Sequence, residues 1–596
     1  AFAWWVGKIL RKRNRIIKKV KSSKYWARSH KYGVRIPKTV KEALRLDKEN
    51  GNTLWRDAIA KEMRNVGIAF HFPISGQAPI GYQKIRLHMI FDVKLDGARK
   101  ARLVANGNET EETKESVFSS VVSRDSVRIF FTLAGLNDLG VLACDIQNAY
   151  LNADTKEKIY SMAGPEFGPD KEGRVVLITR ALYGLRSSGA RFRDHLANTL
   201  RKISFISCKA DPDVWMRPAT KKDGSKYYEY ALCYVDDVLV GSEFPEQIMA
   251  ALRETYTLKQ ESVKRPESYL GSDISEFMVE HSDDPSVPKW AMSSSRYTTR
   301  AIQDVELELA KVGKCLTGKS KTPLAMGYRP ELDQSDELDA ERLNYYQGLI
   351  GVLRWMCELG RLDILMPVSL LSRYLVSARE GHLEQVFHIY SYLKHHKRST
   401  LVFDYTEPRF DETIFKTCNW EQYYPGAKEE FPPNMPEPRG KPVLLTCFVD
   451  ADHAGCKETR RSHTGALIWM NKAPILWHSK RQTTVESSTF GSEFIAMRRA
   501  VEMIKGLRYK LRMMGVEIEG PCSTFCDNDS VVLNKTRPES VLKKKHNAIC
   551  YHLVREAIAS GVIRVAREDT KTNMADLLTK LLPGPALREC VSRVLW

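Results

Sequence analysis

Apolar and polar positions change period several times along the 596-residue chain. Leu54, Ala58, Met63 and Val66 recur at helical spacing, which predicts an amphipathic helix over residues 53–66. Strand-like runs follow at 84–92 and 100–105, joined through an Asp96-Gly97 turn. Residues 127–136 read as a helix and 141–145 as an apolar strand that closes on a carboxylate. A second helix runs through Phe192 and Leu200. The densest apolar run, 230–240, reads as two strands meeting at Asp236-Asp237. Helical spacing then dominates at 297–312, 343–359, 364–376 and 382–396. Pro425, Pro432, Pro433, Pro436, Pro438 and Pro442 mark a linker, predicted to be semi-extended. Beyond it the pattern is three strands (443–449, 464–470, 473–478, the last two around Asn471-Lys472), then a helix from Glu493. A strand at 523–526, a helix at 546–559, a strand at 562–566 and a helix capped by Asn573 complete it.

A chain this long holds three or more domains, and 43% apolar residues suffice for several cores. Twelve cysteines without paired spacing suggest reduced thiols in an intracellular protein. No apolar run reaches membrane-spanning length, which predicts a soluble protein. Net charge is +19, concentrated at the start: residues 1–50 carry sixteen Lys and Arg against three acids. Such an arm suits phosphate backbones, although a solvated tail has the same composition. The opening on Ala1, without Met, suggests a piece of a longer polypeptide.

Two adjacent aspartates between buried strands are costly unless cations compensate them, and divalent ions are the usual compensation. An ordinary Asp turn is the plain alternative. Asp145, at a strand end five residues before Tyr150, suits a metal ligand beside a nucleotide pocket, with the ring of Tyr150 under a sugar; a helix cap is the alternative. Lys94, Lys100 and Arg102 stud a hairpin that could grip a triphosphate or guard a sheet edge. Gly184 allows close backbone approach or ends a strand. Residues 313–320 satisfy the spacing of a phosphate-binding loop, but a helical pattern precedes them and Pro323 follows, so the match is chance. Cys522, Cys526, His546 and His552 lack the spacing of a zinc site.

Asp145 with Tyr150, Leu182-Tyr183-Gly184-Leu185 and Tyr234-Val235-Asp236-Asp237 resemble the palm motifs of reverse transcriptases. Tyr269-Leu270-Gly271, Lys209-Ala210-Asp211-Pro212-Asp213 and Leu349-Ile350-Gly351-Val352-Leu353 extend the likeness to copia-type LTR retrotransposon polyproteins. The resemblance implies an α+β multidomain chain: a right-hand polymerase (fingers, palm, thumb) followed by an α/β ribonuclease H-like domain. It implies Asp145, Asp236 and Asp237 as metal-binding catalytic carboxylates and Tyr150 at the sugar edge. Tyr183, Gly184 and Tyr234 would lie by nucleotide and template, and Tyr269, Leu270 and Gly271 by the primer end. In-line attack of a 3′-hydroxyl on an α-phosphate needs two Mg²⁺ ions about 4 Å apart, with Mn²⁺ as a substitute. Hard ions call for carboxylate oxygens. The fingers cations, Lys94, Lys100 or Arg102, would then meet the triphosphate.

Val449-Asp450-Ala451-Asp452, Gly491-Ser492-Glu493-Phe494, Cys526-Asp527-Asn528 and Ala575-Asp576-Leu577-Leu578-Thr579-Lys580 resemble the ribonuclease H domain of the same polyproteins. That likeness implies Asp450, Glu493, Asp527 and Asp576 as a second two-metal set. Asp452 and His546 are weaker additions. The expected organisation is a basic arm at 1–50, fingers and palm at 51–299, thumb and connection at 300–424, a linker at 425–442 and the ribonuclease H-like domain at 443–596. The partners implied are an RNA template, a nucleic-acid primer, dNTPs, an RNA–DNA hybrid and other polyprotein products, with no membrane. The location implied is cytoplasmic, within virus-like particles, with nuclear access open. The competing reading is an inactive element relic or a host-adopted nucleic-acid-binding protein.

Overall fold

The computed structural model describes residues 30–31, 34–93, 97–110, 117–280, 283, 285–416, 418–540 and 547–596. Most of the basic arm, together with Lys94 and His546, lies outside the described residues. Helix α1 (Val40–Glu49), within the stretch expected as a basic arm, packs on α2 (Leu54–Val66). Ala43 and Leu46 of α1 are buried in the same apolar cluster as Trp55 and Ile59. Asp47 ties the two helices, accepting hydrogen bonds from the backbone of Trp55 (3.0 Å) and Arg56 (2.8 Å). The hairpin β1 (Leu87–Val93) and β2 (Arg99–Ala105) alternates cleanly. Ala101, Leu103 and Ala105 enter the core, leaving Lys100 and Arg102 on the opposite face.

The palm is built from α3 (Arg124–Leu136), β3 (Gly140–Asp145), α4 (Ser188–Lys202), β4 (Ile206–Ser207), β5 (Val214–Thr220), β6 (Lys226–Tyr234), β7 (Asp237–Ser242) and α5 (Pro245–Arg253). Its antiparallel sheet has the order β4-β5-β6-β7-β3. The continuous apolar character of residues 230–240 has a simple cause: both faces are covered. Ala231, Cys233, Val238 and Val240 pack under Phe192, Leu196 and Leu252 of α4 and α5. Tyr230, Leu232 and Leu239 turn the other way, into a cluster with Phe130 and Phe131 of α3.

A second sheet, β8 (Ser268–Tyr269), β9 (Ser272–Phe277), β10 (Lys289–Ser293) and β11 (Thr400–Val402), joins the palm to α6 (Ser295–Ala310), α7 (Ala340–Glu358) and α8 (Glu380–His395). No helix opens at residues 313–320, in keeping with the chance match there. The Pro-rich stretch is tied down at several points. Tyr228 donates from its hydroxyl to the Glu437 carbonyl (2.8 Å), and Gly440 donates from its backbone to that of Lys226 (2.9 Å).

The last domain orders its strands β14 (Ala473–Arg481), β13 (His463–Met470), β12 (Leu445–Asp452), β15 (Cys522–Cys526) and β16 (Ile563–Arg567). β13 runs antiparallel to both its neighbours, β14 and β12, and β15 and β16 run parallel to β12. Helices α9 (Thr489–Met513), α10 (Asp529–Thr536) and α11 (Ala548–Ala559) cover it. That is a ribonuclease H-like topology. One apolar cluster runs without a break from α3 through α7 and α8 into β12, β13 and α9.

Candidate active sites

The first site forms where β7 lies beside β3. Their register sets Asp237 directly opposite Asp145. A two-residue turn, Val235-Asp236, connects β6 to β7, and Tyr234 pairs with Asp237 across it. Val235 sits at φ +58°, a left-handed conformation that a β-branched residue adopts only under strain. The turn brings Asp236 to the end of β3, where its carbonyl accepts from Ile146 N (2.9 Å). Burial and then the neighbouring carboxylates push Asp237 up to about 6, and burial raises Asp236 as well. Lys259 Nζ pairs with Asp145 Oδ2, while Ser262 Oγ accepts from Asp145 N (2.9 Å). Asp145 Oδ1 is buried and accepts no hydrogen bond among the described residues.

Aromatic and cationic groups flank this set. The rings of Tyr150 and Tyr183 lie 4.8 Å apart, and the Arg102 guanidinium sits 4.5 Å over Tyr183. Arg102 thus reaches from the fingers hairpin toward the palm. Lys100, two residues earlier on the same face, shares with Arg102 an electrostatic influence on Glu62, whose carboxylate accepts from Leu103 N (3.0 Å). Gly184 is at φ +94°, and a Cβ there would stand 2.1 Å from the Ala105 carbonyl. The missing side chain lets the segment holding Tyr183 bond edge-on to β2, with Ala105 N donating to Tyr183 O (2.8 Å). Leu270 and Gly271, both at positive φ, form the turn between β8 and β9. The ring of Tyr269 is buried and its hydroxyl donates to Leu232 O (3.3 Å). It supports the turn from below.

The second site lies at the ends of β12 and β15. Their parallel register pairs Val449 with Cys526, so Asp450 and Asp527 emerge side by side. Asp576 comes from the short helix Met574–Leu578. Ligand atoms of Asp450, Asp527 and Asp576 all lie within 4.8 Å of one another, and so do those of Glu493, Cys526 and Asp527. Asp527 belongs to both groups, so the four expected acids form one connected cluster. Gly465, opposite Asp450, explains the approach of the short helix: a Cβ there would meet Thr579 Cγ2 at 2.7 Å and the Ala575 carbonyl at 2.9 Å. Thr579 donates from its hydroxyl to Asp450 Oδ2. Lys580 Nζ bridges Asp576 (2.7 Å) and Asp450 (3.3 Å). Burial and then Asp450 push Asp576 up to about 6, and Asp527 is raised for the same two reasons. Burial alone would lower Lys580, but its two carboxylate partners hold it above the usual lysine range. Asp452, half-buried, is in neither close group; burial raises it.

The acids of the last domain fit divalent cations: they form two close groups, oxygen-only but for Cys526, and are partly desolvated. Asp145, Asp236 and Asp237 lie on adjoining strand ends, and Asp237 is raised by burial and its acidic neighbours, but among the described residues the three are not drawn into one such close group. Asp145, Asp236 and Asp237 would hold such cations in the palm, and Asp450, Glu493, Asp527 and Asp576 in the last domain. Sequence reasoning missed Lys259, Ser262, Gly465, Thr579 and Lys580. Only Lys580 carried a local signal, four residues after Asp576 and so one helical turn on.

A five-stranded palm with carboxylates at the adjoining ends of its edge strand and that strand's neighbour, preceded by a fingers hairpin and followed by a ribonuclease H-like sheet, defines the class as a right-hand polymerase fold. Residues 73–311 match the reverse transcriptase (RNA-dependent DNA polymerase) family. Over most of its length the chain is related to copia-type retrotransposon polyproteins. It is 26% identical over 571 residues to the retrovirus-related Pol polyprotein from transposon RE1 of Arabidopsis thaliana, covering 94% of this chain and 34% of that protein. It is 25% identical over 531 residues to the corresponding polyprotein from transposon TNT 1-94 of Nicotiana tabacum, covering 86% and 36%. The chain thus spans about a third of the length of these relatives. Among solved structures, a foamy viral protease-reverse transcriptase in complex with double-stranded DNA aligns with TM-score 0.43 and 12% identity over 86% of this chain and 70% of that one.

Proposed function

We propose that the chain copies RNA into DNA at the palm carboxylates and cleaves the RNA of the resulting hybrid at the second set. The observation that carries this reading is the presence of two separate acid clusters, each gathered from distant parts of the sequence onto neighbouring strand ends. Divalent ions, Mg²⁺ or Mn²⁺, would supply activation of the attacking oxygen and stabilisation of the departing one at each cluster. The residues themselves bind and orient. Arg102 is placed to meet a triphosphate, and Lys100 shares its face of the hairpin. Tyr150, braced by Tyr183, would meet the sugar with its ring and so disfavour a 2′-hydroxyl. Lys259 neutralises part of the palm charge and fixes the Asp145 carboxylate. Lys580 and Thr579 hold Asp450 and Asp576 in the same manner.

RNA template, primer, dNTPs and hybrid are the partners this reading requires, together with other products of the same polyprotein. The cytoplasm, inside particles, is the setting it suits. The test is extension of a DNA primer on an RNA template with added Mg²⁺, following the template in the same tube. Asp236→Asn and Asp237→Asn should abolish extension and spare cleavage of a preformed hybrid, whereas Asp450→Asn should do the reverse. Binding of the hybrid by the parent with neither activity would instead establish an inactive relic or a host-adopted binding protein.

A further inference from the structure

Beside the palm hairpin lies a cleft of about 360 Å³ that no step described above uses. It is bounded by Tyr234, just before the Val235-Asp236 turn, and by Leu270 of the β8–β9 turn. Its far walls come from the connection and the last domain: Trp355 on α7 and Trp477 on β14, both half-buried. Each indole is backed by a guanidinium from α3. Arg124 stands 4.9 Å from the Trp355 ring and Arg128 3.7 Å from that of Trp477.

The two arginines differ in what they can do. Arg128 is 3% exposed and donates to the carbonyls of Ile475 (2.9 Å) and Glu358 (2.5 Å), so it fixes Trp477 in place. Its Nε is buried and makes no hydrogen bond among the described residues. Arg124 keeps 40% of its side chain exposed at the rim. The acids in the wall are already paired: Glu358 with Arg124 (3.0 Å) and Asp125 with Lys510 (2.6 Å). What remains for a ligand is two indole surfaces, an apolar floor and, at the rim, the part-exposed guanidinium of Arg124, which a phosphate would share with Glu358.

We propose that this cleft receives one unpaired nucleotide of a nucleic-acid strand at the palm, its base against Trp355 and Trp477 and its phosphate toward Arg124. The inference rests on the nucleic-acid reading above and deepens it. The cavity is at the small end of ligand pockets, right for one nucleotide and too narrow for a duplex. Base-on-indole stacking tolerates any base, and guanidinium stacking adds to it. Its position next to Tyr234 and Leu270 means that a strand end leaving the carboxylates would reach it without crossing the palm.

The experiment uses the full chain and two primer–template duplexes, one fully paired and one whose primer ends in a single unpaired 2-aminopurine nucleotide. The expected result is quenched 2-aminopurine emission on binding. Affinity for the unpaired end should fall about 5- to 150-fold in Trp355→Ala or Trp477→Ala, the span seen on removing one stacking ring. Binding of the paired duplex should be unchanged, Trp355→Phe and Trp477→Phe should largely rescue, and Arg124→Gln should lower the salt slope by about one. Should either alanine variant fail to fold, the parent's 2-aminopurine emission and the salt slope of Arg124→Gln decide the matter. Parental affinity for the unpaired end in the alanine variants, an unchanged salt slope in Arg124→Gln, or emission that binding leaves unquenched, overturns the proposal. Failure of the parent to bind either duplex would count against the polymerase reading itself, which keeps the two failures apart.

Discussion

Asp237 shows at a single residue what the palm stores. Its carboxyl keeps a proton up to about pH 6 in the folded chain, because it is buried beside Asp236 and Asp145. An unfolded aspartate releases its proton near pH 4. Between those values the folded state binds more protons, so the stability contributed by this group is complete below about pH 4 and lost as pH rises through about 6. In metal-free buffer at pH 7, Asp237→Asn should therefore be more stable than the parent by about 1–2 kcal/mol, with the gap closing below pH 4; urea titrations across pH read this directly. Lys259 and Lys580 give a paired prediction. Lys259→Met should cost roughly 10- to 100-fold in extension and leave hybrid cleavage alone, and Lys580→Met should do the opposite, the size expected for groups that hold a metal-binding carboxylate. Gly465 and Gly184 are of another kind, since each is defined by an approach that a methyl would block. Gly465→Ala should lower stability by about 1–3 kcal/mol in urea titrations and reduce RNA cleavage more than DNA synthesis.

At the scale of elements, the strands were legible because their apolar runs are short and bounded. The carboxylates of both sites stood out because each closes such a run, follows it in a turn or lies near a helix start; Glu493, expected to begin its helix, is a turn inside α9, which starts at Thr489. What escaped was set by contacts far apart in sequence. Nothing near Lys259 points to Asp145, more than a hundred residues upstream, and nothing in Gly465 foretells a helix from residue 574 lying against it. The burial of the Tyr269 ring was equally illegible, because an aromatic at a turn has no local signal for the core it packs on. The segment 425–442 had the composition of a loose linker, yet Glu429 anchors it to α9 through Arg508 (2.7 Å) and Arg512 (2.5 Å). Burial pushes the Glu429 carboxyl up, but hydrogen bonds and charge from both arginines outweigh it and hold the group at about 2. Its stabilisation is present above the unfolded value near 4.3 and disappears as pH falls toward 2. Glu429→Gln should cost about 1–3 kcal/mol at neutral pH and little at pH 2, seen as a thermal midpoint difference that shrinks with acid.

For the molecule as a whole, the palm and the ribonuclease H-like sheet share one core rather than meeting across a thin seam. Tyr230 donates from its hydroxyl to the Met514 carbonyl (2.8 Å), and Lys510 of α9 donates to Asp125 (2.6 Å) and Ser123 (2.9 Å) of the palm. Calorimetry should accordingly show the two domains melting in a single transition, with Lys510→Met lowering it. A chain ended at residue 424 should expose the apolar face of α3 and aggregate, which light scattering would register.

Under the proposed function, anchoring α9 to the palm would also make the protein a ruler. With the place of synthesis and the place of cutting unable to shift relative to each other, a pause at any position would leave template remnants of one constant length, whatever the sequence being copied.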